Sequence, residues 1–112
     1  MSGISTHVLD ISEGKPATGV NILLEQFQEG KWVEVGRGET DGDGRLKTLV
    51  PVGSLKRGTY RLQFDVESYF AKRQRSSFYR TIPIQFEIAD AQGHYHVPLL
   101  LGPFGYSTYR GS

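Results

Sequence analysis

The chain has 112 residues, enough for one domain with its own core and too few for two independent domains. Its 13 basic and 12 acidic residues leave a formal net charge of +1, so charge gives no general reason to expect nucleic acid or an anionic membrane as partner. The absence of cysteine excludes disulfides, thiolate metal sites and cysteine nucleophiles, and it fits a reducing compartment.

The sequence shows no sign of membrane insertion or export. No apolar run approaches the roughly 18 residues of a membrane span, and no basic and apolar signal region precedes the first strand-like segment. We therefore expect a soluble, cytoplasmic protein that binds neither a membrane nor nucleic acid.

Alternation between apolar and polar side chains predicts short strands along most of the chain. The predicted strands cover 6–11, 20–27, 32–36, 45–49, 59–66 and 82–88, and the last begins near His94. Residues 20–27 and 32–36 are expected to pair as an antiparallel hairpin. The period changes within 67–74, where acidic residues precede basic ones, which predicts one or two helical turns. Many short strands with one short helix indicate an all-β sandwich.

The last predicted strand carries the clearest candidate for a site. Its alternation turns Tyr95 and the apolar residues that follow toward the core and turns His96 away from it. His94 lies beside a turn and is expected to be an exposed, structural imidazole. His7 lies inside the first strand, where alternation does not say which face is buried. His7 and His96 can face each other only if the first and the last-but-one strands pair.

Two arginines have ambiguous roles. Arg45 follows the glycine-rich turn at 41–44 and can bind an anion through its planar guanidinium, although a solvated charge at a strand end is the simpler interpretation. Arg110 has the same ambiguity. The turn lacks the ligand spacing of a calcium loop. Because no Gly-x-Ser-x-Gly elbow is present, Thr108 and Ser112 are not expected to be nucleophiles.

Four groups of short motifs follow one another and together span almost the whole chain. They are His7-Val8-Leu9-Asp10 with Gly14-Lys15-Pro16-Ala17, then Thr40-Asp41-Gly42-Asp43-Gly44-Arg45-Leu46, then Tyr95-His96-Val97-Pro98-Leu99-Leu100-Leu101 with Gly102-Pro103, and last Ser107-Thr108-Tyr109-Arg110-Gly111-Ser112. In this order they resemble the motifs of transthyretin-related proteins of the 5-hydroxyisourate hydrolase family. The resemblance implies a single domain over residues 1–112.

This resemblance implies a sandwich of two four-stranded sheets with one short helix. It places the strands of Arg45, His7, His96 and Tyr109 side by side in one sheet, so that alternation can bring the first three residues to one face. It further implies a homotetramer in which this face lines a cleft between subunits.

The activity implied by the resemblance is hydrolytic opening of the 5-hydroxyisourate ring to 2-oxo-4-hydroxy-4-carboxy-5-ureidoimidazoline, a step of urate breakdown. His7 and His96 would position and deprotonate water, one as general base and the other as acid or orienter. Arg45 would hold the electron-rich heterocycle and polarise a carbonyl.

The carboxyl-terminal residues would complete the pocket under the same resemblance. Arg110 would assist substrate binding or anchor the tail, while Tyr109 and Ser112 would shape the pocket, and the tail would be ordered only because another subunit covers it. No cofactor is implied, since water is the nucleophile. With two imidazoles and no evident third ligand, a metal is expected to be non-essential.

The alternative is a non-catalytic carrier of a small aromatic anion. The hormone carrier transthyretin shares the implied fold and resembles this chain at Val8-Leu9-Asp10 and Tyr106-Ser107-Thr108. It lacks the histidines at the positions of His7 and His96, the arginine at Arg45 and the Tyr-Arg-Gly-Ser end. These differences favour the hydrolase.

Overall fold

The computed structural model of the chain describes residues 3–51 and 53–112, which form two β-sheets and one short helix. The strands are β1 (Gly3–Asp10), β2 (Lys15–Pro16), β3 (Asn21–Gln28), β4 (Lys31–Glu39), β5 (Arg45–Leu46), β6 (Gly58–Asp65), β7 (Thr81–Ile88), β8 (His94–Leu101) and β9 (Tyr106–Thr108), and the helix is α1 (Val66–Ala71). Among these residues no helix has the length and apolar character needed to cross a membrane.

The predicted two-sheet sandwich is confirmed. One sheet has the strand order β4-β3-β6-β7 with antiparallel neighbours. The other has the order β2-β1-β8-β9, and β5 also pairs with β1. This second sheet has five strands rather than the implied four, because β2 and β5 pair with different residues of β1.

The core lies between the two sheets. It is formed by every second side chain of each strand, the ones that point inward. Every residue that alternation assigned to the core in β6 and β8, and at the start of α1, is at most 6% exposed: Tyr60, Leu62, Phe64, Val66, Tyr95, Val97, Leu99 and Leu101. Burial of one such side chain stabilises the fold by about 1.5–3 kcal/mol. The side chains on the outer faces of β1 and β8 are therefore not needed for the core and can form a site.

Several predicted strands differ in length from the observed ones. The first strand begins at Gly3, three residues before its predicted start, because its ladder with β8 runs down to His94. The strand predicted over 45–49 ends at Leu46, since the chain then leaves the sheet and buries Leu49. The predicted hairpin is confirmed, and positive φ angles at Glu29 and Gly30 form its two-residue turn.

The predicted helix is present but covers Val66–Ala71 rather than 67–74. Asp65 caps its first turn, since its carboxylate accepts hydrogen bonds from the backbone N–H of Ser68 at 3.1 Å and from the Ser68 hydroxyl at 2.7 Å. A positive φ of 57° at Gln74 breaks the helical path just beyond. The cap therefore determines where β6 ends and the helix begins.

Asp10 ties the end of β1 to this helix. Its side chain is fully buried and accepts hydrogen bonds from the Tyr69 hydroxyl at 2.8 Å, the Ser12 hydroxyl at 2.5 Å and the Arg75 guanidinium at 3.1 Å. Burial alone would raise the pKa of Asp10, but these donors and the charge of Arg75 outweigh it and lower the pKa below its ordinary value. The carboxylate is thus held ionised inside the protein.

Candidate active site

Parallel pairing of β1 with β8 decides which side chains meet on the open face of the sheet. The two strands pair as the sequence analysis required if His7 and His96 were to share a site. The register places Ser5 opposite His96 and His7 opposite Pro98. The two histidines therefore lie diagonally across the strand pair, two residues out of register, and share one face.

Arg45 reaches this face from the other side of β1, where it pairs directly with His7. The preceding turn holds it there, because Asp41 Oδ1 accepts the backbone N–H of Arg45 at 3.0 Å. Gly44 has a φ of +74°, and a Cβ there would lie 2.4 Å from the carbonyl oxygen of Val8. Only glycine fits this close approach, so the glycine-rich turn serves to position Arg45.

The electrostatics of this face favour a neutral His96. Burial, followed by the positive charge of Arg45 and the neighbouring His7 and His94, lowers the pKa of His96 below its ordinary value of about 6.5. Within the described residues the Arg45 guanidinium forms no ion pair. The face therefore presents a neutral imidazole, able to accept a proton, near a cation available to an anionic ligand.

Ser5 is a member of this cluster that the sequence analysis missed. Its hydroxyl lies 2.8 Å from Nδ1 of His96 and 3.1 Å from Nε2 of His94, and the residue is 5% exposed. The hydrogen bond at Nδ1 fixes the orientation of the His96 ring. The other ring nitrogen, Nε2, is not used by this bond. The predicted strand began at Thr6 and therefore excluded Ser5. Extending the alternation by one residue would have placed Ser5 on the same face as His7, two positions away.

The carboxyl-terminal residues continue along β8 beyond β9. The Thr108 hydroxyl donates to the carbonyl oxygen of Pro98 at 2.6 Å, and the backbone N–H of Gly111 donates to the carbonyl oxygen of His96 at 2.8 Å. Residues 96 and 111 form an antiparallel bridge in the register of β8 and β9. The expectation that only another subunit orders the tail is wrong, because these bonds lie within one chain.

The profile of the HIUase/Transthyretin family matches residues 4–111. The chain belongs to this family. It is 46% identical over 109 residues to the 5-hydroxyisourate hydrolase of Salmonella typhimurium, a match that covers 97% of this chain and 80% of the relative. The predicted family is thus confirmed.

Two solved structures show how widely this fold is shared. The 5-hydroxyisourate hydrolase of Klebsiella pneumoniae is 39% identical, with a TM-score of 0.88 and coverage of 100% of each chain. Sea bream transthyretin in complex with thyroxine is 29% identical, with a TM-score of 0.90 and coverage of 97% of this chain and 94% of that one. Because both resemble this family member closely, the backbone alone does not distinguish the hydrolase from the thyroxine-bound transthyretin.

The structure distributes the predicted site residues unevenly. It brings His7, Arg45 and His96 onto one face, where burial, register and charge link them. Ser112 is exposed one residue beyond the bridge to His96, and Tyr109 is 58% exposed. The bridge between Gly111 and His96 places the tail beside the cluster of His7, Arg45 and His96.

Arg110 lies on the other side of β8. Its guanidinium stacks over the Tyr95 ring at 4.4 Å, and Tyr95 faces the core side of the strand that turns His96 outward. Alternation explains this placement, because Arg110 and Gly111 are consecutive and Gly111 is the residue opposite His96. Of the two roles considered for Arg110, this contact fits the tail anchor.

Nowhere in the described part of the chain do three His, Cys, Asp or Glu side chains gather in a way that would hold a metal ion. The expectation that the site needs neither metal nor cofactor stays a prediction. The groups present are two imidazoles, a guanidinium and a hydroxyl, which can bind an anion and transfer protons.

Proposed function

We propose that this family member hydrolyses 5-hydroxyisourate, opening its ring to 2-oxo-4-hydroxy-4-carboxy-5-ureidoimidazoline. The observation that carries the proposal is the meeting of His7, Arg45 and His96 on one face through the β5-β1-β8 register. The names of the Salmonella and Klebsiella relatives support it, since both are 5-hydroxyisourate hydrolases. The reaction belongs to urate breakdown.

His96 is the general base in this proposal. Its lowered pKa keeps the imidazole neutral near pH 7, and when Nδ1 carries the proton and donates it to the Ser5 hydroxyl, Nε2 is free to take a proton from water. The water oxygen attacks the carbonyl carbon of the ring amide, the carbon–nitrogen bond breaks, and the leaving nitrogen takes up a proton. His7, two residues out of register, orients the water.

Arg45 binds the electron-rich heterocycle and stabilises the oxyanion that forms at the attacked carbonyl. Two observations support this role: its pairing opposite His7 and the freedom of its guanidinium from ion pairs within the described residues. A guanidinium presents several N–H donors in a planar array, which suits a flat anionic ligand. A fixed cation at the developing negative charge lowers the barrier.

The tail forms one wall of the pocket. Tyr109 lies two residues before Gly111 and Ser112 one residue after it, and the Gly111 backbone is bonded to His96. Both side chains contact the substrate in this proposal. Arg110 stabilises this wall from behind through its stacking on Tyr95. The tail therefore contributes shape and hydrogen bonds rather than a proton-transfer group.

The functional form is a homotetramer with the site in a cleft between subunits. Large apolar side chains remain uncovered around the turn after β8: Ile11 is 60% exposed, Phe78 71% and Phe104 74%. Such a cluster on a single chain favours burial by another copy. Sedimentation equilibrium measures the assembly, and a monomer at micromolar concentration would contradict it.

The cytoplasmic location predicted from the sequence stays a prediction.

The decisive experiment follows the ultraviolet absorbance of freshly generated 5-hydroxyisourate with and without the protein. We expect decay much faster than the spontaneous rate and proportional to protein concentration. Decay at the spontaneous rate would sink the hydrolase proposal. Binding of thyroxine or a similar aromatic anion without accelerated decay would instead establish the carrier.

A further inference from the structure

A hydrogen-bonded chain connects the proposed base with the exposed surface. Ser5 Oγ lies 2.8 Å from Nδ1 of His96 and 3.1 Å from Nε2 of His94. Ser5 is buried, His96 is half-buried and His94 is exposed, so the chain leads from the pocket outward. The β1–β8 register builds it by placing Gly3 opposite His94 and Ser5 opposite His96.

A serine hydroxyl has one proton, so it cannot donate to both imidazoles. If Ser5 donates to His96, then His94 must donate to Ser5, and both rings carry their proton on Nε2. If Ser5 donates to His94, then His96 donates to Ser5 through Nδ1, and both rings carry their proton on Nδ1. The chain therefore has two directions, and each direction imposes one tautomer on both rings.

We propose that Ser5 and His94 are positioning residues that relay protons between His96 and solvent and so switch His96 from general base to general acid within one turnover. The proposal rests on the proposed hydrolysis and deepens it. It answers a need of that reaction, because the leaving nitrogen requires a proton after water has given one up.

The relay conserves protons at every step. His96 begins with its proton on Nδ1, and Nε2 takes a proton from water as the new carbon–oxygen bond forms. The Nδ1 proton passes to Ser5 Oγ, the hydroxyl proton of Ser5 passes to Nε2 of His94, and His94 releases its Nδ1 proton to solvent. His96 is now neutral with a proton on Nε2.

The second half of the cycle uses this proton. His96 gives it to the leaving nitrogen as the carbon–nitrogen bond breaks. Ser5 then passes its proton to Nδ1 of His96 and receives the Nε2 proton of His94, which takes a new proton from solvent at Nδ1. The three side chains return to their starting state, and no net proton is gained or lost.

The surroundings of His96 explain why a relay is needed. Arg45 from β5, His7 from β1 and His94 from its own strand face the ring, and Gly111 of the tail adds no titratable side chain. Burial and the charge of Arg45, with the two neighbouring imidazoles, disfavour a long-lived imidazolium at His96. Moving the charge to the exposed His94 lets water solvate it.

Activity measurements on three variants and one control variant test the relay. In Ser5→Ala the relay hydroxyl is lost, and in His94→Gln an amide can still hydrogen-bond to Ser5 but cannot take up a proton. We expect each change to lower kcat by about tenfold, less than loss of a direct acid–base group, with KM nearly unchanged. Ser5→Thr keeps a hydroxyl and should restore kcat, while Ser54→Ala, in an exposed turn, is the control.

A solvent isotope measurement separates relay from simple orientation. In mixtures of light and heavy water, wild-type kcat should depend non-linearly on the deuterium fraction because several protons move together. In Ser5→Ala and His94→Gln this dependence should become linear. Full activity in His94→Gln, with only Ser5→Ala impaired, would show that Ser5 merely orients His96 and would overturn the relay.

Nitrogen-15 NMR of the imidazoles reads the same chain without turnover. We expect His94 and His96 to share one tautomer in the neutral wild-type protein and to lose this coupling in Ser5→Ala. Uncoupled tautomers in the wild type would overturn the relay whatever the activity. Coupled tautomers in a protein that does not accelerate isourate decay would overturn the proposed hydrolysis and leave the hydrogen-bonded chain standing.

Discussion

Gly111 lies directly against the imidazole of His96. A Cβ at position 111 would stand 2.6 Å from Cδ2 of the ring, closer than side chains can approach, and the Gly111 N–H donates to the His96 carbonyl oxygen. The glycine of the tail is therefore part of the packing that sets the ring's position. This contact links the carboxyl-terminal motif to the proposed base through geometry rather than through a charge.

Gly111→Ala should impair catalysis more than stability. The added methyl group must displace the His96 ring or lift the tail from β8, and a misplacement of about 1 Å can cost about a hundredfold in rate. We expect kcat to fall by about tenfold to a hundredfold, with a melting temperature near that of the wild type. Gly105→Ala is the control, since a Cβ at Gly105 meets open space. Wild-type kcat in Gly111→Ala would show that the contact has no catalytic weight.

His96→Asn should remove the proposed base while the fold remains. Asparagine is smaller and polar and occupies the half-buried outer face of β8, away from the core. We expect kcat to fall at least about a hundredfold, the lower range for acid–base groups. Circular dichroism and sedimentation check the fold and assembly. Near-normal turnover would remove His96 from the role assigned to it.

Arg45→Lys should weaken transition-state binding although the charge is kept. Lysine cannot reproduce the planar pair of donors, and loss of one hydrogen bond to a charged group costs about 1.5–3 kcal/mol. The expected fall in kcat/KM is about tenfold to a hundredfold. Arg37→Lys, an exposed arginine paired with Glu34 on the other sheet, should leave kcat/KM unchanged. Equal values for both variants would contradict the role of Arg45.

Activity should be present at neutral pH and be lost as the pH falls through the pKa of His96. Because that pKa is lowered, the midpoint of the acid limb of kcat/KM should lie below about 6.5. Arg45→Gln removes a cation that disfavours the imidazolium, so the pKa should rise. NMR titration of His96 measures this shift without turnover, and Arg37→Gln serves as control. A downward shift would contradict the electrostatic account.

The buried Asp10 should govern acid stability. Since its pKa is lowered in the folded state, its contribution is present above the unfolded value of about 3.9 and is lost as the pH falls through the folded one. Asp10→Asn leaves Arg75 without its buried partner and should cost about 3–5 kcal/mol at pH 7. Urea unfolding at pH 7 and pH 3 measures both effects. The exposed Asp43→Asn is the control, and a similar loss there would contradict a special role for Asp10.

Alternation within a strand predicted a large part of this fold. It placed Tyr60 and Leu99 in the core and His96 outside it. These features depend on residues a few positions apart, because a strand turns successive side chains to opposite faces. The turn that presents Arg45 was likewise visible, since its glycines lie next to it.

The partners of the site residues depend on contacts between distant parts of the chain. His7 and His96 can meet only if their two strands pair, and no local pattern in the sequence selects the register of that pairing. A register is decided by packing across the whole strand pair, and a shift of one residue turns every side chain to the other face. Tertiary structure set Ser5 rather than His7 opposite His96, turned Arg110 onto Tyr95, and laid Gly111 on the imidazole.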